Sequence, residues 1–150
     1  MNISELEYYL HDHIPISIAL GVEVVKALAE GVTLSAPLAP NINHRETVFG
    51  GSASAVAILS VWSLLYIRLK DAGFKTRLVL QRNSMCYDLP ILDDFTATAV
   101  IHNSALWDHF LDMLTRKHKA RIHVTSALFC NGERVGELEA DFVALILQPA

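Results

Sequence analysis

No charged residue occurs between Phe49 and Ile67. A run of this kind has two outlets: it crosses a bilayer, or it forms the helix at the centre of a core. A membrane span needs roughly 20 mostly apolar residues. The run is near that length, but Gly50, Gly51, Ser52, Ser54, Ser60 and Ser63 interrupt it, and the small residues gather at its start. A helix that is apolar all round can equally be the centre of a soluble domain. The strands predicted around it need something to cover, and no other helix in the chain can serve. We therefore read the segment as a buried helix. Arg68, Lys70 and Asp71 bring charge back, and Gly73 stops it.

The flanking segments supply the covering layer. Ser4 is the expected cap of a short first helix, with Glu5 and Glu7 in its first turn and Pro15 ending it. Ile16 to Ala27 reads as a strand bent at Gly21. After the turn at Ala29-Glu30-Gly31, Val32, Leu34, Ala36 and Leu38 alternate with Thr33, Ser35 and Pro37, which completes a hairpin. Beyond the long helix, Thr76 to Tyr87 and Phe95 to Ile101 read as strands. Ala105 to His118 has helical spacing, with Leu106, Phe110, Leu111 and Leu114 on one stripe. Asn131-Gly132 is the preferred pair of a tight type I′ turn, so Arg121 to Cys130 and Glu133 to Leu147 form a second hairpin. In its second arm Glu137, Glu139 and Asp141 alternate with Leu138, Ala140 and Phe142, which predicts one wet and one buried face. The expected architecture is α+β: one domain over residues 1–150, with a mostly antiparallel sheet of about six strands, near the common sheet size, wrapped around the long helix.

Composition narrows the function. The 52% hydrophobic and 19% charged content is lean in charge, which favours a subunit of an oligomer. The net charge is -4 and no basic stripe exists, so nucleic acid is not an expected partner. His11 and His13 point to different sides of a helix, and no histidine pair has metal-site spacing, so no metal and no cofactor are expected. The start MNISELEYYL lacks a basic run, which argues against a signal peptide. Cys86 and Cys130 form no Cys-x-x-Cys motif. Two free buried thiols in a reduced cytoplasmic setting are the expectation.

One local pattern goes further. Asn43-x-x-x-Thr47-Val48-Phe49-Gly50-Gly51 resembles the approach to the central helix in hot-dog-fold thioesterases. Tyr87-x-Leu89-Pro90-Ile91 followed by Asp94-Phe95-Thr96-Ala97-Thr98-Ala99 is similar to the strand-turn-strand that follows that helix in the superfamily. Leu38-Ala39-Pro40-Asn41-Ile42-Asn43 and the downstream Trp62 bring the resemblance nearest to the YiiD C-terminal type of thioesterase domain, over nearly the whole chain. The resemblance implies a hot-dog fold, a homodimer or dimer of dimers, and an acyl thioester of coenzyme A or acyl carrier protein as substrate.

Thioester hydrolysis needs a polarised carbonyl and an aligned water. Glycines at a helix start allow close approach of a ligand to N–H groups that lack helical partners, and the positive helix end favours an oxyanion. Gly50 and Gly51 are therefore candidates, with tight packing against a strand as the alternative. Asn43 can hold the water or the carbonyl through its amide, or can bond its own turn; for Asn41 the turn is favoured. Thr47 orders the loop and can face the site. Many hot-dog thioesterases carry an acid in the first two turns of the central helix, and here only Ser52 and Ser54 are polar there. Close packing explains both serines more simply. Glu46 is the nearest acid and a candidate general base. Asp88, Asp93 and Asp94 can reach from a partner subunit, but turn chemistry explains them better. His44 lacks the acid that a dehydratase dyad requires, and no Gly-x-Ser-x-Gly elbow exists. Phe49 and Trp62 can line an acyl tunnel, with the core as the plainer place for Trp62. Arg82, odd in mid-strand, can face a subunit interface or substrate phosphates. The missing helix acid keeps a second reading open, a noncatalytic acyl-thioester binding or scaffolding module.

Overall fold

The computed structural model describes residues 1–147. In chain order the elements are α1 (Ile3–His13), α2 (Ile16–Ala19), β1 (Glu23–Leu28), β2 (Gly31–Ala36), α3 (Gly50–Asp71), β3 (Thr76–Tyr87), β4 (Phe95–Val100), α4 (Ser104–Lys117), β5 (Lys119–Cys130) and β6 (Glu133–Ile146). The strands form one six-stranded sheet in the order β1-β2-β4-β5-β6-β3, antiparallel at every pairing.

The sheet curls around α3. Val56, Ala57, Val61, Leu64, Leu65 and Ile67 are buried against alternating strand residues such as Val32, Leu34, Ala97, Ala99, Leu128 and Leu138. By length and composition α3 could cross a membrane, with a mean hydropathy of 1.6 over its most apolar stretch, but 61% of that stretch is buried inside the fold. The serines of the run are accommodated rather than exposed. Ser60 Oγ donates to Ala57 O at 2.7 Å and lies 2.7 Å from Ser126 Oγ on β5, so a buried hydroxyl pair ties helix to sheet. Gly73 takes φ +85 just past the helix and ends it.

Both hairpins form, the first with shorter arms than the pattern predicts, paired from Glu23 opposite Ser35 to Leu28 opposite Gly31. Asn131 and Gly132 have φ 52 and 76, the positive pair that a type I′ turn needs. Leu138, Ala140 and Phe142 are buried, whereas Glu139 is exposed.

Four expectations are corrected. The cap of α1 is Asn2, not Ser4: Asn2 Oδ1 accepts from Glu5 N at 2.8 Å and the Glu5 carboxylate accepts from Asn2 N at 2.9 Å, a reciprocal box that a cap two residues later would forfeit. Ile16 to Ala27 is not one strand. Ile16–Ala19 makes a single helical turn, Gly21 reverses the chain at φ 72, and β1 starts only at Glu23. The buried stripe of α4 is Trp107, Phe110 and Leu114, and Leu106 is exposed. The Trp107 ring is held under the Arg68 guanidinium, 4.4 Å from its centroid, which fixes the rotation of the helix. Finally, Cys130 is buried but Cys86 is exposed, because it lies on β3 at the edge of the sheet.

One glycine here is sterically required. A Cβ on Gly136 would lie 2.7 Å from the Cys86 carbonyl oxygen across the β6–β3 pair. Backbone cannot swing aside as a side chain can. Gly136→Ala is expected to destabilise the fold by about 1–3 kcal/mol, in the range of other overpacking changes, and chemical denaturation should read it. An unchanged midpoint would mean that β3 is not held as described.

Candidate functional site

The start of α3 sits in a frame of backbone hydrogen bonds. Phe49 N donates to Asn41 O at 2.7 Å, while Phe49 O accepts from Ser52 N at 2.9 Å and Ala53 N at 3.1 Å. The N–H groups of Gly50 and Gly51 have no backbone partner among the described residues. The Tyr87 hydroxyl, at the end of β3, donates to Gly50 O at 2.8 Å. A Cβ on Gly50 would approach that hydroxyl to 3.3 Å, so glycine gives the tyrosine room.

A cavity of about 410 Å³ opens here, lined by Val48, Gly50, Gly51 and Ala53 on the helix side and by residues 87–91 on the other. Its two walls are joined. Val48 N donates to Ile91 O at 2.9 Å, and Asp88 N and Leu89 N both donate to Val135 O, at 2.9 and 3.2 Å. The lining residues are mainly apolar apart from the two glycines, Tyr87 and Asp88, and the exposed Asp88 also borders a neighbouring groove with Cys86 and Arg134. Such a cleft can hold an apolar chain with one polarised group at its end.

The other sequence candidates fall elsewhere. Asn43 spends its amide on its own loop: Nδ2 donates to Thr47 Oγ1 at 3.0 Å, and Oδ1 accepts from Arg45 N at 2.8 Å and Thr47 N at 3.2 Å. Thr47 is thereby its partner in the turn. Glu46 is exposed at the tip of that turn with φ 64, and neither it nor Asn43 lines the cavity. Asn41 is 3% exposed and its amide donates to Leu20 O and Pro37 O, each at 2.8 Å, which makes it the anchor of the loop. Ser54 Oγ is turned back onto Gly51 O at 3.1 Å, and Ser52 is half-buried outside the cavity lining.

Phe49 is 58% exposed and its ring lies over Gly51, where a Cβ would run into it. Arg82 is exposed on β3 opposite Asp141, beside a break in register. Trp62 is neither in the cavity nor fully in the core. It is half-buried in a stack of rings, 5.0 Å from Tyr66 and 5.9 Å from Tyr9. Partial burial in that stack pushes the Tyr9 phenol above its ordinary range. Asp93 and Asp94 do serve turns: Asp93 Oδ1 accepts from Asp94 N at 2.8 Å and Asp94 Oδ1 from Leu38 N at 2.9 Å.

Sequence reasoning missed Tyr87 as a site residue. The only available signal was the motif Tyr87-x-Leu89-Pro90. Its contact with Gly50 joins residues far apart in the chain, and spacing within one element cannot reveal such a contact.

Comparison with known proteins gives this arrangement a context. Residues 3–146 match the family described as "Putative thioesterase (yiiD_Cterm)". A protein of unknown function from Chlorobaculum tepidum superposes with a TM-score of 0.91 at 25% identity, over 96% of this chain and 94% of that one. A "putative thioesterase" from Shewanella oneidensis gives a TM-score of 0.85 at 24% identity, over 95% and 96%. A thioesterase from Haemophilus influenzae gives 0.78 at 11% identity, over 99% and 94%. The long helix wrapped by an antiparallel sheet is the hot-dog fold that these structures share.

Proposed function

This chain belongs to the YiiD C-terminal thioesterase family, and from that premise we propose that it hydrolyses an acyl thioester carried on coenzyme A or acyl carrier protein, with the thioester carbonyl bound at the start of α3. The observation that carries the reading is the cavity in which the N–H groups of Gly50 and Gly51 lack backbone partners among the described residues. Such groups at the positive end of a long helix stabilise the charge that develops on a carbonyl oxygen under attack. Asn43 and Thr47 shape the loop that delivers Phe49 and the glycines, rather than touching substrate. Tyr87 holds the helix start in place through the Gly50 carbonyl.

Purified protein with a panel of acyl-CoAs and acyl carrier proteins should release free thiol. One observation favours the second reading, a module that binds thioesters without cleaving them: α3 has no acid in its first two turns. Tight binding of acyl-CoA with no thiol release would select that reading.

We also propose a homodimer or larger symmetric assembly in a reduced, cytoplasmic setting. β3 is an edge strand of twelve residues, and from Gln81 to Ser84 every residue is exposed. Val79 and Tyr87 on it are 43% and 54% exposed. A long unpaired edge of this kind invites pairing with another chain, and antiparallel self-pairing about a two-fold axis satisfies it in a closed assembly. Sedimentation should show a dimer or dimer of dimers. A stable monomer at micromolar concentration would contradict the assembly.

A further inference from the structure

Hydrolysis needs a group to take a proton from water, and the first two turns of α3 hold no acid. Every acid near the cavity can be weighed by what it already does. Glu46 is exposed at the tip of the Asn43 turn and does not line the cavity. Asp93 and Asp94 accept backbone N–H groups of the β3–β4 connection and of Leu38. Asp88 is exposed as well, but it differs from all three in its place. It lines the cavity together with Gly50 and Gly51, and its carboxylate accepts no hydrogen bond from the described residues. Its backbone is fixed on both sides: Asp88 N and Leu89 N are bonded to Val135 O, Tyr87 to Gly50 O, and Ile91 O to Val48 N. Asp88 thus brings an uncommitted carboxylate to the border of the cleft that Gly50 and Gly51 also line, and about 410 Å³ leaves room for a carbonyl and a water. A water's share of liquid volume is only about 30 Å³.

We propose that Asp88 is the catalytic general base of this site, taking over the work that a helix acid performs in other hot-dog thioesterases. The proposal rests on the thioesterase reading above. Asp88 removes a proton from the bound water as the water oxygen bonds to the thioester carbon. The carbonyl π pair moves onto oxygen, where the Gly50 and Gly51 amides receive it. The pair returns, the C–S bond breaks, and the thiolate recovers the proton from Asp88. The products are the carboxylic acid and the free thiol, and the carboxylate is restored.

Asp88→Asn tests this with two acyl acceptors. With water, kcat is expected to fall about 10²–10⁴-fold, the usual worth of a general base. KM and the affinity for an acyl-CoA thioether should stay near the wild-type values. With hydroxylamine, a nucleophile that attacks without prior deprotonation, the variant should keep most of its wild-type rate, so the ratio of hydroxamate to acid rises steeply. Asp88→Ser should repeat the pattern, and melting curves of both variants should match wild type because the side chain supports no fold contact. Wild-type hydrolysis by Asp88→Asn overturns the proposal, as does an equal loss with both acceptors. A wild-type protein that cleaves no thioester overturns the hydrolase reading itself, and with it the role of Asp88.

Discussion

Gly51→Pro is expected to lower kcat about 10²–10³-fold, the usual effect of removing one oxyanion donor, while the protein remains folded. Proline is tolerated in the first turn of a helix because the N–H it lacks has no helical partner there. The residue before it is Gly50, whose missing Cβ relieves the restriction that proline imposes on its neighbour. Any Cβ at position 51 meets the Phe49 ring, an exposed side chain that can swing away. Gly51→Ala therefore controls for that displacement: it moves Phe49 in the same way but keeps the amide. The account requires Gly51→Pro to be much worse than Gly51→Ala. If the two are equally impaired, the ring and not the amide matters. Steady-state kinetics with the best acyl-CoA from the panel decides between them.

The largest expected effect on stability is at Leu128. Its side chain is 0% exposed on β5, between Ala97 on β4 and Gly136 on β6. Leu128→Ala removes volume from the point where the last hairpin closes on α3, and β6–β3 pairing fixed by Gly136 limits how far the site can collapse. The cost should be about 2–5 kcal/mol, which for a domain of this size lowers Tm by roughly 4–20 °C. Ordinary melting would show it, and an unmoved transition would mean that the hairpin is not packed as described.

Much of this fold can be read from residues that leave the chain little choice. The uncharged run from Phe49 to Ile67 had to be central, and Asn131-Gly132 had to turn. The β3 strand, Thr76–Tyr87, follows the sequence reading closely. Short apolar segments were ambiguous for a physical reason. Ile16-Ser17-Ile18-Ala19 alternates like a strand, yet Ser17 is 0% exposed while Ile16 and Ile18 are each 59% exposed. On α4, Leu106 and Trp107 suit the period equally, and it is Trp107 that is buried, with Phe110 beside it and Arg68 of another element over its ring.

The geometry around the candidate site was legible in part. Gly50 and Gly51 do begin α3, as the sequence reading expected. The single side-chain amide of Asn43 suits either a turn or a ligand, and its three bonds within its own loop are visible only in the coordinates. Asp88 looked like turn chemistry beside Asp93 and Asp94. Of the three, it alone leaves its carboxylate uncommitted among the described residues.

The central claim is that a thioester carbonyl binds at the start of α3. A complex with an acyl-CoA ketone analogue, in which a methylene replaces the sulfur and the carbonyl is kept, tests it most directly. The account predicts the ketone oxygen about 2.7–3.1 Å from the Gly50 or Gly51 nitrogen, the range of an oxyanion donor, with the Asp88 carboxylate facing the same carbon. A carbonyl bound elsewhere, with the cavity beside Tyr87 empty, would contradict it.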